Sequence, residues 1–238
     1  MFSPETGYAD LAAAGQALSP LDGRYRLHTQ ELTQYLSEAA LNRTRIYVEI
    51  EWMIELLRRG VIAHAPLLSD AEVDYLRALP REFNADSIAE LAHIEAETRH
   101  DVKAVEYYID NRLEEARSLF GPDTVLPQLR PLVHIFATSE DINNLAHALN
   151  IQAAIRQVWL PRARGLQARL LELAEAGADI PMLARTHGQP ATPVTIGKEL
   201  AVFVYRLSRQ ISRIEDTEYL GKMNGATGTW AAHRVALP

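Results

Sequence analysis

The sequence has 238 residues, 47% hydrophobic and 23% charged, with no cysteine and a formal net charge of −7. This is globular composition, enough for one large domain or two small ones; it excludes disulfides, thiolate zinc sites and a cysteine nucleophile, and it weighs against a general nucleic-acid binder, which needs a basic surface. No run of about 18 apolar residues is present to span a membrane, Met1–Leu18 lacks the basic-then-apolar layout of a signal peptide, and a cytoplasmic location is expected.

Residues 1–18 are rich in Ala, Gly and Ser and read as poorly ordered. Helix then follows helix. Leu36, Ala40, Tyr47, Ile50, Ile54 and Leu57 share one helical stripe, interrupted by Arg43 and stopped at Gly60. Ser69 and Glu72 have capping-box spacing and open a helix running toward Pro80. Val102, Val105, Ile109 and Leu113 mark another, ending near Gly121-Pro122. A long pattern runs from Glu140 to Ala176, with a bend expected at Pro161. Pro181–Thr186 reads as a short extended piece. A second long pattern runs from Val194 to Leu220, with Ile196, Leu200, Phe203, Leu207, Ile211 and Ile214 at three- and four-residue steps.

The predicted fold class is therefore all-α. A small helical domain over 19–122 is followed by the start of a long-helix bundle domain over 123–238. That second domain reads as incomplete, because its last long helix is followed only by a Gly-rich turn, Gly221–Gly228, and a few residues more. The chain is expected to be a fragment.

Four polar segments sit beside helix ends. In Ser19–Tyr25 a Pro-Gly turn presents Arg24, a forked donor suited to phosphate or carboxylate, and the Tyr25 hydroxyl; a solvated loop arginine is the plainer reading. In Thr98–Val102, Asp101 stands where an N-cap belongs, while Arg99, His100 and the helix N–H groups offer an anion pocket. His93, Glu97 and His100 share helical spacing, but no third nitrogen ligand accompanies them, so no metal is assigned. In His134–Asp141, Thr138 and Ser139 precede a long helix and serve either as caps or as anion donors, two compatible roles; His134 is either a core histidine or a site residue. In Thr186–Pro193, two prolines, a glycine and two threonines fix His187, whose imidazole titrates in the range useful for acid–base chemistry. No Walker A loop, dinucleotide fingerprint, nucleophile elbow or H-E-x-x-H is present, and Gly221–Gly225 lacks P-loop spacing.

Five strings together are specific: S-P-L-D-G-R-Y from Ser19, R-H-D-V-K-A-V-E from Arg99, T-S-E-D-I-N-N-L from Thr138, T-H-G-Q-P-A-T-P from Thr186 and G-K-M-N-G-A-T-G from Gly221. In this order, the chain resembles the adenylosuccinate lyases of the fumarase/aspartase superfamily, from Ser19 to Gly228. The resemblance implies a helical bundle in a homotetramer, with active sites shared among three subunits. It implies elimination of fumarate from adenylosuccinate, giving AMP, and from the succinylated imidazole-carboxamide ribotide, without cofactor or metal. By the same resemblance Arg24 and Tyr25 bind the phosphate side of the nucleotide, and Arg99, His100 and Asp101 contact substrate. Thr138 and Ser139 hold a succinyl carboxylate, His187 protonates the departing nitrogen, and His134 lies where some members carry a further active-site histidine. The family's base is a serine within S-S-x-M-P-x-K-x-N-P, a string absent here, so this chain alone is expected to be inactive. The competing readings are a related lyase such as argininosuccinate lyase, a metal phosphohydrolase built on His100-Asp101, and a non-catalytic helical scaffold.

Overall fold

The computed structural model describes residues 18–237. The segment expected to be poorly ordered lies, apart from Leu18, outside those residues. Three short helical turns, Arg26–Thr29, Gln30–Leu32 and Thr33–Leu36, lead to helix α1, Glu38–Arg58. Ser37 caps α1, its Oγ accepting from Ala40 N–H at 3.1 Å. The expected stop at Gly60 is a Schellman motif: Gly60 takes φ 62°, its N–H donates to Leu57 O, and Val61 N–H donates to Leu56 O.

The stripe predicted for α1 is only partly its buried face. Leu36 is exposed because it precedes the cap and does not share the helical phase; Tyr47 is exposed at the stripe's edge. The buried face is wider and includes Ile46 and Met53. The polar intrusions within it are Asn42, Arg45 and Glu49, whereas Arg43 is only half-buried. The width follows from packing on several sides, against α2 (Asp70–Arg81), α4 (Asp101–Phe120) and α5 (Ser139–Ala154). One core joins Ile50, Ile54, Leu76, Leu91, Ile109 and Leu129, and each such side chain removed from water contributes about 1.5–3 kcal/mol.

The capping box of α2 is formed: Glu72 Oε2 accepts from Ser69 N–H at 2.9 Å and Ser69 Oγ accepts from Glu72 N–H at 3.3 Å. Helix α3, Ala85–Thr98, had no counterpart in the sequence reading; it buries only Ser87 and Leu91 and so shows little periodicity. It ends at Arg99 in the left-handed region, φ 53° and ψ 33°, and α4 starts two residues later. The predicted apolar positions of α4 are all buried. A 3-10 stretch, Leu126–Leu132, then leads toward α5.

The long pattern from 140 to 176 is two helices, α5 and α6 (Leu160–Ala176), joined by a π-helical segment, Ile155–Trp159. The irregularity thus lies ahead of Pro161, where the α-type hydrogen bond to residue 157 has no donor; Leu160 N–H donates five residues back, to Ile155 O. Pro181–Thr186 is extended as expected, but pairs with an unpredicted second strand, Gln189–Thr195, in an antiparallel hairpin, β1–β2. A two-stranded sheet is all edge, so Pro190 and Pro193 are tolerated. Helix α7 spans Ile196–Glu215, shorter at both ends than the periodicity suggested, and packs on α6. Gly197 permits that approach: a Cβ there would lie 2.2 Å from Ala174 O. A last short helix, α8, covers Ala231–Ala236. No helix among the described residues is long and apolar enough to cross a membrane.

Candidate active site

Three of the five strings meet around α1. Arg45, buried within the helix, donates from each of its three guanidinium nitrogens: Nη2 to Asp101 Oδ2 (2.5 Å), Nε to Asn143 Oδ1 (2.9 Å) and Nη1 to Asn42 Oδ1 (2.8 Å). One guanidinium thereby ties the first residue of α4 to α5. Asp101 is not the cap that its position suggested. That place belongs to His100, whose Nδ1 accepts from Lys103 N–H at 3.1 Å. With Nδ1 spent on the backbone, Nε2 is the remaining polar atom of this half-exposed ring. Burial opposes the charge on Asp101, but the Val102 N–H and Arg45 outweigh it and hold the carboxyl below its usual range.

At α5, Thr138 is the N-cap and Ser139 the first helical residue. The box is closed by Asp141, whose Oδ2 accepts from Thr138 N–H (3.0 Å). Asp141 is fully buried and also gathers the Gly-rich turn: Oδ1 accepts from Lys222 Nζ (2.7 Å) and Asn224 N–H (3.1 Å), and Oδ2 from Gly225 N–H (3.0 Å). Burial opposes this charge too, and these donors, Lys222 first, keep it below the usual range. Asn144 adds a paired contact, accepting from Lys222 N–H (2.8 Å) and donating to Lys222 O (3.1 Å). Gly221 lies so close to α5 that a Cβ would meet Leu145 Cδ2 at 2.3 Å. The turn set aside for want of P-loop spacing is thus a clamp on the T-S-E-D helix.

His134 approaches from the loop before α5. Its Nδ1 lies 2.6 Å from Glu49 Oε1 and its Nε2 3.9 Å from Glu106 Oε1. Burial opposes protonation of the ring, but the Glu49 carboxylate outweighs it and raises the histidine above its ordinary value; burial pushes the Glu49 carboxyl up. Both of His134's expected roles, core histidine and site residue, are open to a ring held this way.

The remaining predicted residues lie elsewhere in this chain. Arg24 and Tyr25 sit in the Pro-Gly turn, exposed, with the guanidinium 5.4 Å from the Tyr25 ring centre. His187 and Gly188 form the β1–β2 turn with φ 52° and 74°, the double positive φ of a type I′ hairpin. His187 is therefore held by turn geometry at an exposed tip. Among the described residues, no hydrogen bond or ion pair links Arg24, Tyr25 or His187 to the Arg45–Asp141 cluster. Arg99, in its left-handed conformation, is exposed beside His100.

The sequence reading missed Arg45, Glu49, Glu106, Asn144 and Lys222 as part of this arrangement. Asp141 was missed as a hub as well, although it carried a local signal as the acid three residues after Thr138. What the cluster offers chemically is two neighbouring helix N-termini with hydroxyl, imidazole and guanidinium donors, while its carboxylates are already paired. That is an environment for an anion.

A family model described as "Lyase" matches residues 23–238. The chain belongs to the lyase family. Among curated relatives, this lyase chain is 41% identical over 222 residues to the adenylosuccinate lyases of Haemophilus influenzae and Escherichia coli, covering 93% of this chain and 47% of each of theirs. The adenylosuccinate lyase of Legionella pneumophila is equally similar. The lyase chain spans about half the length of the curated relatives it matches. Among solved structures it resembles a fumarate lyase from Mesorhizobium sp. BNC1, with TM-score 0.67 and 21% identity over 85% of this chain and 44% of that one. It also resembles the β-carboxy-cis,cis-muconate cycloisomerase of Acinetobacter calcoaceticus, with TM-score 0.64 and 20% identity over 86% and 45%. Both likenesses establish the helical lyase fold.

Proposed function

We propose that this chain is part of an adenylosuccinate lyase acting in purine biosynthesis in the cytoplasm, cleaving adenylosuccinate to AMP and fumarate and performing the same elimination on the succinylated imidazole-carboxamide ribotide. The observation that carries the reading is the 41% identity to adenylosuccinate lyases, which extends over 93% of the chain and is not confined to one motif. The elimination removes a proton from the carbon β to the nitrogen, breaks the C–N bond and delivers a proton to the departing nitrogen. In this reading His187 donates that proton, and no residue of this chain is assigned as the base. Thr138 and Ser139, at the start of α5, hold a carboxylate on which charge gathers; Arg99, His100 and Asp101 line the neighbouring wall, and Arg24 and Tyr25 take the phosphate end.

The exposed hairpin tip and the exposed Arg24 turn fit a site completed by other subunits of a homotetramer. The His-Asp phosphohydrolase alternative is disfavoured by the same geometry, since Asp101 is paired with Arg45 and His100 Nδ1 is spent on capping α4. The test is incubation of the natural protein that carries this chain with adenylosuccinate, following AMP and fumarate. Release of both is expected, and His187→Gln is expected to lower kcat by about 10²–10⁴. Absence of fumarate release from the unsubstituted protein would sink the reading.

A further inference from the structure

The loop that leads into α5 is gripped from α1 in a way the reaction scheme does not use. Within three residues, His134 and Phe136 both take positive φ, 62° and 64°, a region that residues other than glycine enter at a cost. Two side chains nearly one turn apart on α1 meet this segment. Glu49 Oε1 lies 2.6 Å from His134 Nδ1, and Trp52 Nε1–H donates to Ile135 O at 2.8 Å. The Glu49 side chain is 1% exposed, and among the described residues its Oε2 has no hydrogen-bond partner. From α4, Glu106 faces the other ring nitrogen, and Lys103 Nζ binds Glu106 at 2.7 Å. An imidazolium at His134 therefore sits between two carboxylates with an ammonium behind one of them.

A buried carboxylate with one oxygen unsatisfied, spent on a doubly strained loop, is a poor device for stability alone. It suits a segment whose position matters. On the far side of that segment Thr138 is pinned by Asp141, so residues 134–137 are the one stretch joining the α1 anchor to the two hydroxyls at the start of α5.

We infer that Glu49 and His134, with Trp52, form a positioning clamp that sets where Thr138 and Ser139 present their hydroxyls to the substrate carboxylate. The inference rests on the carboxylate role given to those hydroxyls in the proposed function. Glu49, His134 and Trp52 are positioning residues here and act through the loop.

The test uses the natural protein that carries this chain, with Glu49→Ala, Glu49→Gln and Trp52→Phe, read by amide hydrogen exchange and by steady-state kinetics. Glu49→Ala is expected to speed exchange at residues 135–139 by about tenfold and to raise KM for adenylosuccinate by a similar factor, the size of one lost charge-assisted hydrogen bond, with kcat little changed. Glu49→Gln keeps an acceptor for the His134 N–H and is expected to recover most of the KM. Trp52→Phe removes one donor and is expected to loosen the loop less. A role in folding alone would instead lower the active fraction, and so kcat, at constant KM. Should Glu49→Ala fail to fold, Glu49→Gln and Trp52→Phe decide by the same two readouts. Unchanged exchange at 135–139 in folded variants would overturn the clamp. Faster exchange with unmoved KM would overturn its role in placing the hydroxyls. If the unsubstituted protein releases no fumarate, the lyase reading fails on its own, and exchange still decides the clamp.

Discussion

His134 and Asp141 hold the site from opposite electrostatic directions. Glu49 raises His134 above its usual 6.5, so the folded protein binds that proton more tightly than the unfolded chain does. Its contribution to stability is complete below about pH 6.5 and is lost as pH rises through the higher folded value. Burial raises Glu49 as well, and the sign is the same, since protonation favours the fold. The melting temperature is expected to fall as pH is raised from 6 to 9, and His134→Gln is expected to flatten that slope; a pair worth about 1 kcal/mol corresponds to roughly 2–4 °C for a chain of this size. An equal slope in the variant would exclude the pair as its source. Asp141 runs the other way. Its carboxyl is held below 3.8, so its contribution is present above that value and is lost as pH falls through the lower folded one. Asp141→Asn removes the charge facing Lys222 and turns a donor toward N–H groups. Urea titration is expected to show a loss of about 3–5 kcal/mol, the cost of breaking a buried pair, and retention of wild-type stability would contradict the hub role.

At the scale of elements, local chemistry decides where helices begin and end, and close approach decides how they pair. The cap at Ser69 and the Schellman ending at Gly60 are satisfied within a few residues of chain, which is why they were legible in the sequence; the cap at Ser37 is equally local but was not among the expected ones. The π segment before Pro161 was half legible: proline announces a break but not that the ladder will widen ahead of it. The α6–α7 pairing depends on Gly197, whose added Cβ would strike backbone at Ala174 and Ala178. Backbone cannot rotate aside, so Gly197→Ala is expected to destabilise by about 1–3 kcal/mol. Calorimetry showing an unshifted transition would refute the close contact.

Over the whole molecule, burial is uneven. The core from Ile46 to Leu129 is dry, whereas α7 buries only Gly197 and Ile211 and leaves Phe203 at 58% and Tyr205 at 66% exposed. An amphipathic helix with its large apolar residues in water is expected to be covered by another protein surface, which fits the homotetramer proposed above. Phe203→Asp in the natural protein that carries this chain is expected to shift sedimentation toward smaller species. Unchanged assembly would place the subunit contact elsewhere.

Helix content, the α2 capping box, the buried positions of α4 and the hydroxyls opening α5 were determined by the sequence itself, because propensity, periodicity and caps act over a few neighbouring residues. The five strings carried the family, since each is a local constraint. Tertiary structure alone decided that Asp101 turns to Arg45 and leaves the cap of α4 to His100, and that Asp141, Lys222 and Arg45 lock three of the strings into one cluster. Those outcomes depend on pairings across some 50 to 80 residues, such as Arg45 with Asp101 and Asp141 with Lys222. Only the assembled packing brings such partners within reach and removes the water that would otherwise satisfy them.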